Sequence, residues 1–310
     1  MSITINKNDV ALLRSVADYR MLTIVQASVL LSRNAAALRR RTKTLSTLEM
    51  LEELPVSVYQ GRGHPQKAFG LGQRGFELLR QREILPETVE FEQARGTSVI
   101  PQASHQSLLN WCRIHLVHMT REIPRLSCEV YSGNSPFSLD PSHGTSLVCD
   151  WVPNVGGERE EEVRIRPDAV FIITDRDQRK SVLFFLEVDM GTEPIASSVR
   201  DKQDITSKIA SYQTYFRSRR YKRYEQTRNV SLNGFRLLFV TSDPLRTQRL
   251  CRAVRSLPPS DFVWVTSRER IFSEGISGDI WFRGGKVETS MHSILGSLTN
   301  KMPIPGVSET

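Results

Sequence analysis

The chain has 310 residues, of which 39% are hydrophobic and 25% charged, a composition typical of two folded domains and not of a disordered chain. It contains no run of about 18 apolar residues, and its polar start lacks the apolar stretch of a signal peptide, which predicts a cytoplasmic protein without a membrane partner. Four scattered cysteines favour buried thiols over disulfides or a zinc site. The net charge of +8 favours a polyanion as partner.

Three helices are predicted at the start of the chain. Asp9 to Tyr19 has apolar residues at helical spacing, and Asn8 or Asp9 is expected to cap it. Thr23 is expected to cap a second helix that ends at Leu31, and a third helix is predicted from Ala35 to Leu54.

Basic residues are concentrated in and just before the first half of the third helix, whereas its second half is acidic. Such a charge distribution opposes the helix dipole, which favours acids at a helix start, and it suits a recognition helix whose first half enters a DNA groove. The residues assigned to DNA binding here are Arg33, Arg39, Arg40, Arg41 and Lys43.

A β-hairpin is predicted after the third helix, with strands over Pro55–Tyr59 and Ala68–Leu71, and a closing helix over Gln73–Glu83. Three helices followed by a hairpin resemble a winged helix-turn-helix, predicted here over residues 1–85. The alternative, a winged helix used only for protein contacts, is less favoured because the positive charge lies where a DNA groove would be. The turn of the hairpin adds three residues expected to reach phosphate, Arg62, His64 and Lys67.

The rest of the chain is predicted to comprise a linker over 86–103, an α/β domain over 104–290 and a flexible tail over 291–310. The elements expected in the α/β domain are helix His105–Ile123, strands Leu126–Tyr131, Leu147–Val152, Arg164–Thr174 and Ser181–Asp189, helix Ile195–Arg220, strand Phe235–Thr241, helix Leu245–Leu257 and strand Phe262–Thr266. This order resembles the core of the PD-(D/E)XK nuclease superfamily.

Three carboxylates in this domain form a candidate catalytic and metal site. Asp168 begins one predicted strand, and Glu187 and Asp189 share one face near the end of the next. If the strands pair as a hairpin, Asp168 approaches Glu187, and a hard cation such as Mg²⁺ or Mn²⁺ would relieve the repulsion between them. The alternative is that these acids are simply exposed at the ends of strands.

The nuclease pattern requires a lysine two residues after the glutamate, but this sequence has Asp189 there. Lys208 is the expected replacement, because it lies on the apolar face of the following helix, one turn from Tyr212. An inward lysine needs a partner that offsets its desolvation, unless its side chain extends to solvent. Tyr212 is a secondary candidate whose hydroxyl is expected near the carboxylates, and Lys202 is a weaker candidate lysine.

Three segments, Arg166–Ala169, Leu186–Glu193 and Lys208–Tyr212, resemble the plasmid replication-relaxation family. His105, at the start of the helix entering the second domain, resembles a further family position, and Glu193 is a secondary site candidate. The resemblance implies an N-terminal winged helix joined to a nuclease-like domain, and a role at an origin of replication or transfer in a plasmid or mobile element.

Two hypotheses follow. The first is a Mg²⁺-dependent, relaxase-like DNA nickase that uses Asp168, Glu187 and Lys208. The second is a non-enzymatic initiator or transcriptional regulator with a degenerate nuclease domain, which the missing lysine at position 189 favours. Both have double-stranded DNA as partner, and both leave room for a homodimer and for other replication or mobilisation proteins.

Overall fold

The structure is a computed structural model that describes residues 4–58, 65–138, 146–153, 162–197 and 204–298. Its described residues form two compact units, one within 1–114 and 134–145, the other within 115–133 and 146–304. The chain is a mixed α/β protein, as predicted.

The first unit consists of short helices around a small antiparallel sheet of strand order β1-β3-β2. Its elements are α1 (Lys7–Tyr19), β1 (Leu22–Thr23), α2 (Ile24–Leu31), α3 (Ala35–Thr47), β2 (Leu51–Val58), β3 (Gln66–Leu71), α4 (Gln73–Gln81), α5 (Phe91–Ala94), a 3₁₀ helix (Gly96–Gln102) and the first part of α6 (Ala103–Glu122).

Reciprocal caps fix the starts of the first two helices. Asn6, not Asn8 or Asp9, caps α1, and the Asp9 carboxylate accepts a hydrogen bond from the Asn6 backbone N–H. Thr23 caps α2 as predicted, in a box completed by Gln26. Each box satisfies backbone N–H groups that the first turn of a helix leaves without partners.

The third helix is shorter than predicted. It ends at Thr47, and Glu49 takes a left-handed conformation (φ 57°) that a continuing helix excludes. Leu51 and Leu54, which the sequence predicts as part of this helix, instead lie buried on β2.

Residues 86–103 are packed into the first unit and do not form an irregular linker. They contain α5 and the 3₁₀ helix, and Val89, Ala94 and Val99 are buried. The division into units falls after Ile114, inside α6, and so differs from the predicted boundaries.

The second unit is built on a mixed six-stranded sheet of order β11-β10-β9-β8-β7-β4, with β8, β9 and β10 parallel and the other pairs antiparallel. A separate pair, β5 and β6, lies in the same unit. The elements after α6 are β4 (Leu126–Ser132), β5 (Asp150–Pro153), β6 (Glu162–Ile165), β7 (Ala169–Asp175), β8 (Lys180–Asp189), α7 (Ile205–Arg217), a 3₁₀ helix (Arg220–Lys222), α8 (Arg223–Arg228), β9 (Phe235–Thr241), α9 (Pro244–Arg255), β10 (Val263–Ser267), α10 (Arg268–Glu274) and β11 (Phe282–Arg283).

An aromatic cluster docks α7 on the sheet. The Phe185 ring lies 5.4 Å from Tyr212, 5.7 Å from Tyr215 and 4.8 Å from Phe235, between ring centroids. Tyr212 and Tyr215 are almost completely buried. Each such ring contributes about 1.5–3 kcal/mol by burial alone, so the position of α7 against β8 is strongly determined.

Three predicted elements of this unit differ from the structure. The strand expected over 164–174 is divided into β6 and β7, because Pro167 lacks the N–H that a continuous ladder requires. The helix expected from Ile195 begins at Ile205, where the Asp204 side chain caps it. The predicted tail is ordered through Ile294, which is buried, while 299–310 lie outside the described residues.

In the described part of the chain, no helix combines the length and the apolar character needed to cross a membrane.

Arg41→Ala should destabilise the first unit. Asp9 is 2% exposed and accepts a hydrogen bond from Arg41 Nε over 2.7 Å. Burial alone would raise the pKa of Asp9. Hydrogen bonds from Arg41 and from the Asn6 backbone outweigh burial and lower this pKa below its ordinary value. Losing the guanidinium should cost about 2 kcal/mol, less than for a fully enclosed pair because Arg41 is partly exposed. Urea unfolding at neutral pH measures the loss, and the exposed neighbour Arg40→Ala is the matched control. Equal stability of both variants would contradict the prediction.

Candidate carboxylate–lysine site

Asp168 and Glu187 lie beside each other at one end of the β7–β8 hairpin. Ala169 pairs with Leu186 in antiparallel register, and the Asp168 N–H donates to the Leu186 carbonyl oxygen over 3.0 Å, so position 168 stands opposite position 187. The Val188 N–H donates to Asp168 Oδ2 over 2.7 Å and fixes that carboxylate. The hairpin register therefore brings the two acids together.

Two side chains from α7 complete the site. Lys208 Nζ donates to Glu187 Oε2 over 3.2 Å, and the Tyr212 hydroxyl donates to Glu187 Oε1 over 2.8 Å. The two donors are four residues apart and share one face of the helix. Each oxygen of Glu187 thus has its own donor, and the carboxylate is held in one orientation.

Burial governs the ionisation of Glu187, which is 5% exposed. Desolvation raises its pKa, Lys208 opposes this effect, and the negative charge of Asp168 adds to it, so that the pKa lies at about 7. A group with this pKa exchanges a proton near neutral pH, as general acids and bases at active sites do.

The Lys208 ammonium interacts with three carboxylates, those of Glu187, Glu193 and Asp168. Besides Glu187, Lys208 Nζ lies 3.3 Å from Glu193 Oε2, and Asp168 also contributes to its field. Burial lowers the pKa of Lys208, but these acids together raise it well above its ordinary value. The raised pKa of Glu187 and that of Lys208 are consistent, because negative charge exceeds positive charge in the cluster.

Asp189 is directed to a different partner. Arg246, in the first turn of α9, donates to both of its carboxylate oxygens, from Nε over 2.7 Å and from a terminal nitrogen over 3.2 Å. The Gly191 N–H also donates to Asp189 over 2.9 Å. Arg246 further donates to the Glu193 carbonyl oxygen and so ties the segment after β8 to α9.

A cavity of about 300 Å³ opens on Glu187 and Lys208. Two basic side chains, Arg164 on β6 and Arg166 just after it, also line this cavity. Its remaining lining residues are Val163, Ile165, Glu193, Asp204, Ser207, Ser211 and Tyr212. A cavity lined by two arginines and a carboxylate–lysine pair suits a phosphate-bearing substrate.

Asp168 and Glu187 fit a single Mg²⁺ better than a site with three protein ligands. Within the described ranges, no group of three or more His, Cys, Asp or Glu side chains is arranged around a common metal position. Mg²⁺ is commonly bound through one or two carboxylates with water in its other positions, and the excess negative charge beside Glu187 would favour it. Asp189, expected as a third ligand, is instead held by Arg246.

The profile of the replication-relaxation family matches residues 13–230. The chain belongs to this family. Family membership supports the predicted connection with plasmids, replication and relaxation. Searches of curated proteins and of solved structures found no match.

The replication-relaxation match includes Asp168, Glu187 and Lys208 but ends before α9. Arg246, which neutralises Asp189, therefore lies in a part of the chain that the family profile does not describe. The sequence analysis missed this residue, since 57 positions separate it from Asp189. The signal that was present is its place in the first turn of a helix that follows a parallel strand neighbouring β8.

The basic residues predicted to bind DNA divide into free and engaged ones. Arg39, Arg40 and Lys43 are exposed on α3. Arg39 and Lys43 line a groove of about 750 Å³ together with Lys67 of β3. Arg41 is engaged by Asp9.

Two other basic candidates have protein partners as well. Arg33 donates to the Asn8 carbonyl oxygen over 3.1 Å, and Lys67 pairs with Glu53 on the neighbouring strand. His105 belongs to the first unit, whereas the carboxylates belong to the second. The remaining predicted residues Arg62, His64 and Lys202 lie outside the described residues.

Lys208→Met should destabilise the protein in a pH-dependent manner. Without the ammonium, the pKa of Glu187 in the folded protein rises further above its value in the unfolded chain. The free energy of unfolding then falls as the pH rises through that folded-state pKa. We expect a loss of about 2 kcal/mol at pH 8 and a smaller one at pH 5, where Glu187 is protonated. Denaturant unfolding at the two pH values measures it.

Glu187→Gln supplies the control for this measurement. In that background the carboxylate is gone, so Lys208→Met should cost nearly the same at both pH values. If Lys208→Met alone showed no pH dependence, the coupling between the ammonium and Glu187 would be disproved.

Proposed function

We propose that this replication-relaxation protein nicks DNA at a plasmid or mobile-element origin, with the second unit as a PD-(D/E)XK-like nuclease domain. The observation that carries the proposal is the 3.2 Å contact between Lys208 Nζ and Glu187 Oε2 beside Asp168. It provides two acids and a lysine at one point, although the lysine comes from α7 and not from the strand.

Lys208 would hold a non-bridging oxygen of the scissile phosphate and offset the charge that develops during cleavage. The Lys208 side chain is about one-third exposed and lines the cavity, so it can contact a substrate there while it stays paired with Glu187. Glu187 would accept a proton from an attacking water; its pKa of about 7 applies to the site before a metal ion binds. Tyr212 would keep the Glu187 carboxylate oriented toward the cavity.

Asp168 and Glu187 would hold Mg²⁺ or Mn²⁺. When bound, the ion would supply Lewis acidity toward a phosphodiester oxygen and lower the pKa of a nearby water. It would also supply the positive charge that Lys208 alone does not provide to three carboxylates.

Supercoiled origin DNA incubated with the protein and Mg²⁺ should become nicked circles. Asp168→Asn and Glu187→Gln should each lower the nicking rate by at least about 100-fold, because each removes a charge that acts on the transition state. Lys208→Met should lower it to a similar extent. Agarose gel electrophoresis over time measures the rates, and nicking by Asp168→Asn at the wild-type rate would contradict the proposal.

Tyr212→Phe separates hydrolysis from a covalent tyrosine mechanism. We expect this variant to retain measurable nicking, since Tyr212 only orients Glu187, and we expect no protein–DNA adduct on denaturing gels. Complete loss of nicking with Tyr212→Phe, together with an adduct in the wild type, would assign the tyrosine as nucleophile instead.

The first unit would recognise the origin as a winged helix-turn-helix. Support comes from the arrangement of α2, α3 and the β2–β3 hairpin and from the exposed cations of α3, Arg39, Arg40 and Lys43. In this proposal α3 enters the major groove of double-stranded DNA.

Arg39→Ala combined with Arg40→Ala should weaken binding to duplex DNA and reduce its salt dependence. Each lost phosphate contact lowers the slope of log K against log salt by about 0.9. Fluorescence anisotropy at several salt concentrations measures this slope. An unchanged slope would contradict the assignment of α3. Arg249→Ala combined with Arg252→Ala, two exposed arginines on α9 of the second unit, controls for the loss of two positive charges alone.

A non-enzymatic initiator or regulator is the second candidate, favoured by one observation: both oxygens of Glu187 already accept hydrogen bonds from protein donors. This candidate predicts no Mg²⁺ binding. Calorimetric titration of the protein with Mg²⁺ discriminates the two, since the nickase requires binding that Asp168→Asn abolishes.

A further inference from the structure

We propose that Trp151 and Arg164 form a stacking platform for an unpaired DNA base next to the carboxylate–lysine cavity. Trp151 is 46% exposed on β5. The three other tryptophans of the chain, Trp111, Trp264 and Trp281, are at most 4% exposed. The Trp151 indole therefore differs from the other tryptophans in its exposure, and it offers a ligand a large flat apolar face.

Arg164 links this indole to the site. It is the cross-strand partner of Trp151 in the β5–β6 pair, and its guanidinium carbon lies 5.8 Å from the centroid of the indole ring. The same arginine lines the cavity that contains Glu187 and Lys208. Arg164 therefore contacts both the exposed ring and the cavity in which a scissile phosphate would lie.

The strand that carries Trp151 is firmly anchored. The neighbouring Asp150 accepts a hydrogen bond from the Tyr215 hydroxyl over 2.8 Å and pairs with Arg223 over 3.2 Å. Arg220 donates to the Trp151 carbonyl oxygen and pairs with Glu162 on β6. The backbone is fixed from both sides while the ring stays exposed, so the platform is preformed and costs little ordering when a ligand binds.

The surrounding charge favours a nucleic acid as the occupant. Arg164, whose guanidinium lies beside the ring, lines the cavity together with Arg166 and Lys208. Cations track a phosphate backbone, and an aromatic ring stacks on any base, a combination typical of grooves that bind single strands. The base must be unpaired, because bases inside a duplex have both faces covered by their neighbours.

This inference rests on the proposed function and adds to it the state of the substrate: the strand is locally unpaired where it enters the cavity. The platform would hold a base that flanks the scissile phosphate, so that the phosphate is presented to Lys208 and Glu187. Trp151 is then a positioning residue that acts on the substrate before cleavage.

Binding of a short oligo(dT) to the full-length protein in EDTA tests the platform without any cleavage. Tryptophan emission should be quenched on titration, and Trp151→Phe should abolish the quench because the other tryptophans are buried. By anisotropy with labelled oligo(dT), Trp151→Ala should weaken binding at least about fivefold, whereas Trp151→Phe, which keeps a ring, should stay near wild type. Duplex DNA should bind Trp151→Ala as it binds the wild type.

Val287→Ala is the matched control, since Val287 is 44% exposed but follows β11 at the far edge of the sheet. Circular dichroism verifies that each variant is folded. Wild-type affinity of Trp151→Ala for oligo(dT), or an equal loss for oligo(dT) and duplex, overturns the platform. The platform can fail while nicking persists, and absence of nicking would leave the oligo(dT) result intact, so the two proposals are tested separately.

Discussion

A carboxylate enclosed by an apolar sheet dominates the second unit. Glu187 lies within a run of buried residues on β8, positions 183–189, and its charge would be costly there without the Lys208 ammonium and the Tyr212 hydroxyl. Two further acids, Asp168 and Glu193, draw on the same ammonium. The site is therefore short of positive charge, and it can gain that charge by taking up a proton, a metal ion or both.

The fold positions this cluster through packing and not through polar contacts alone. The register of β7 against β8 sets Asp168 opposite Glu187, and a slip of one residue would turn one acid to the other face of the sheet. The rings that dock α7 on Phe185 determine where Lys208 and Tyr212 project. Packing of the aromatic core therefore determines the polar geometry of the site, because it positions Lys208 and Tyr212 together.

Local patterns predicted the parts of the site that depend on local geometry. Strand alternation placed Glu187 and Asp189 on one face, and helical spacing placed Lys208 beside Tyr212. Pairings between distant segments were not predictable: Arg246 is 57 residues from Asp189, and Arg41 is 32 residues from Asp9. Arg41 was assigned to DNA from charge density alone, which does not distinguish a free cation from one that a buried acid engages.

The same limit applies to the ends of elements. Helical periodicity continues past the end of α3, but the left-handed backbone at Glu49 ends the helix, and the following leucines serve a strand equally well. Pro167 indicates the break between β6 and β7, because proline cannot donate to a strand ladder. The apolar residues around it favoured one continuous strand instead.

In the nuclease proposed above, Asp189 occupies the position of the motif lysine, and two cations from other elements offset the difference in charge. An acid in place of a lysine there changes the local charge by two units and would add a fourth carboxylate to the cluster. Arg246 cancels that carboxylate, and Lys208 returns an ammonium to Glu187 from the facing helix. Each cation also offsets the burial of its carboxylate, so both pairs stabilise the fold whether or not the site cleaves DNA. Together they leave two acids and a lysine at one point, the arrangement on which the proposed nicking depends.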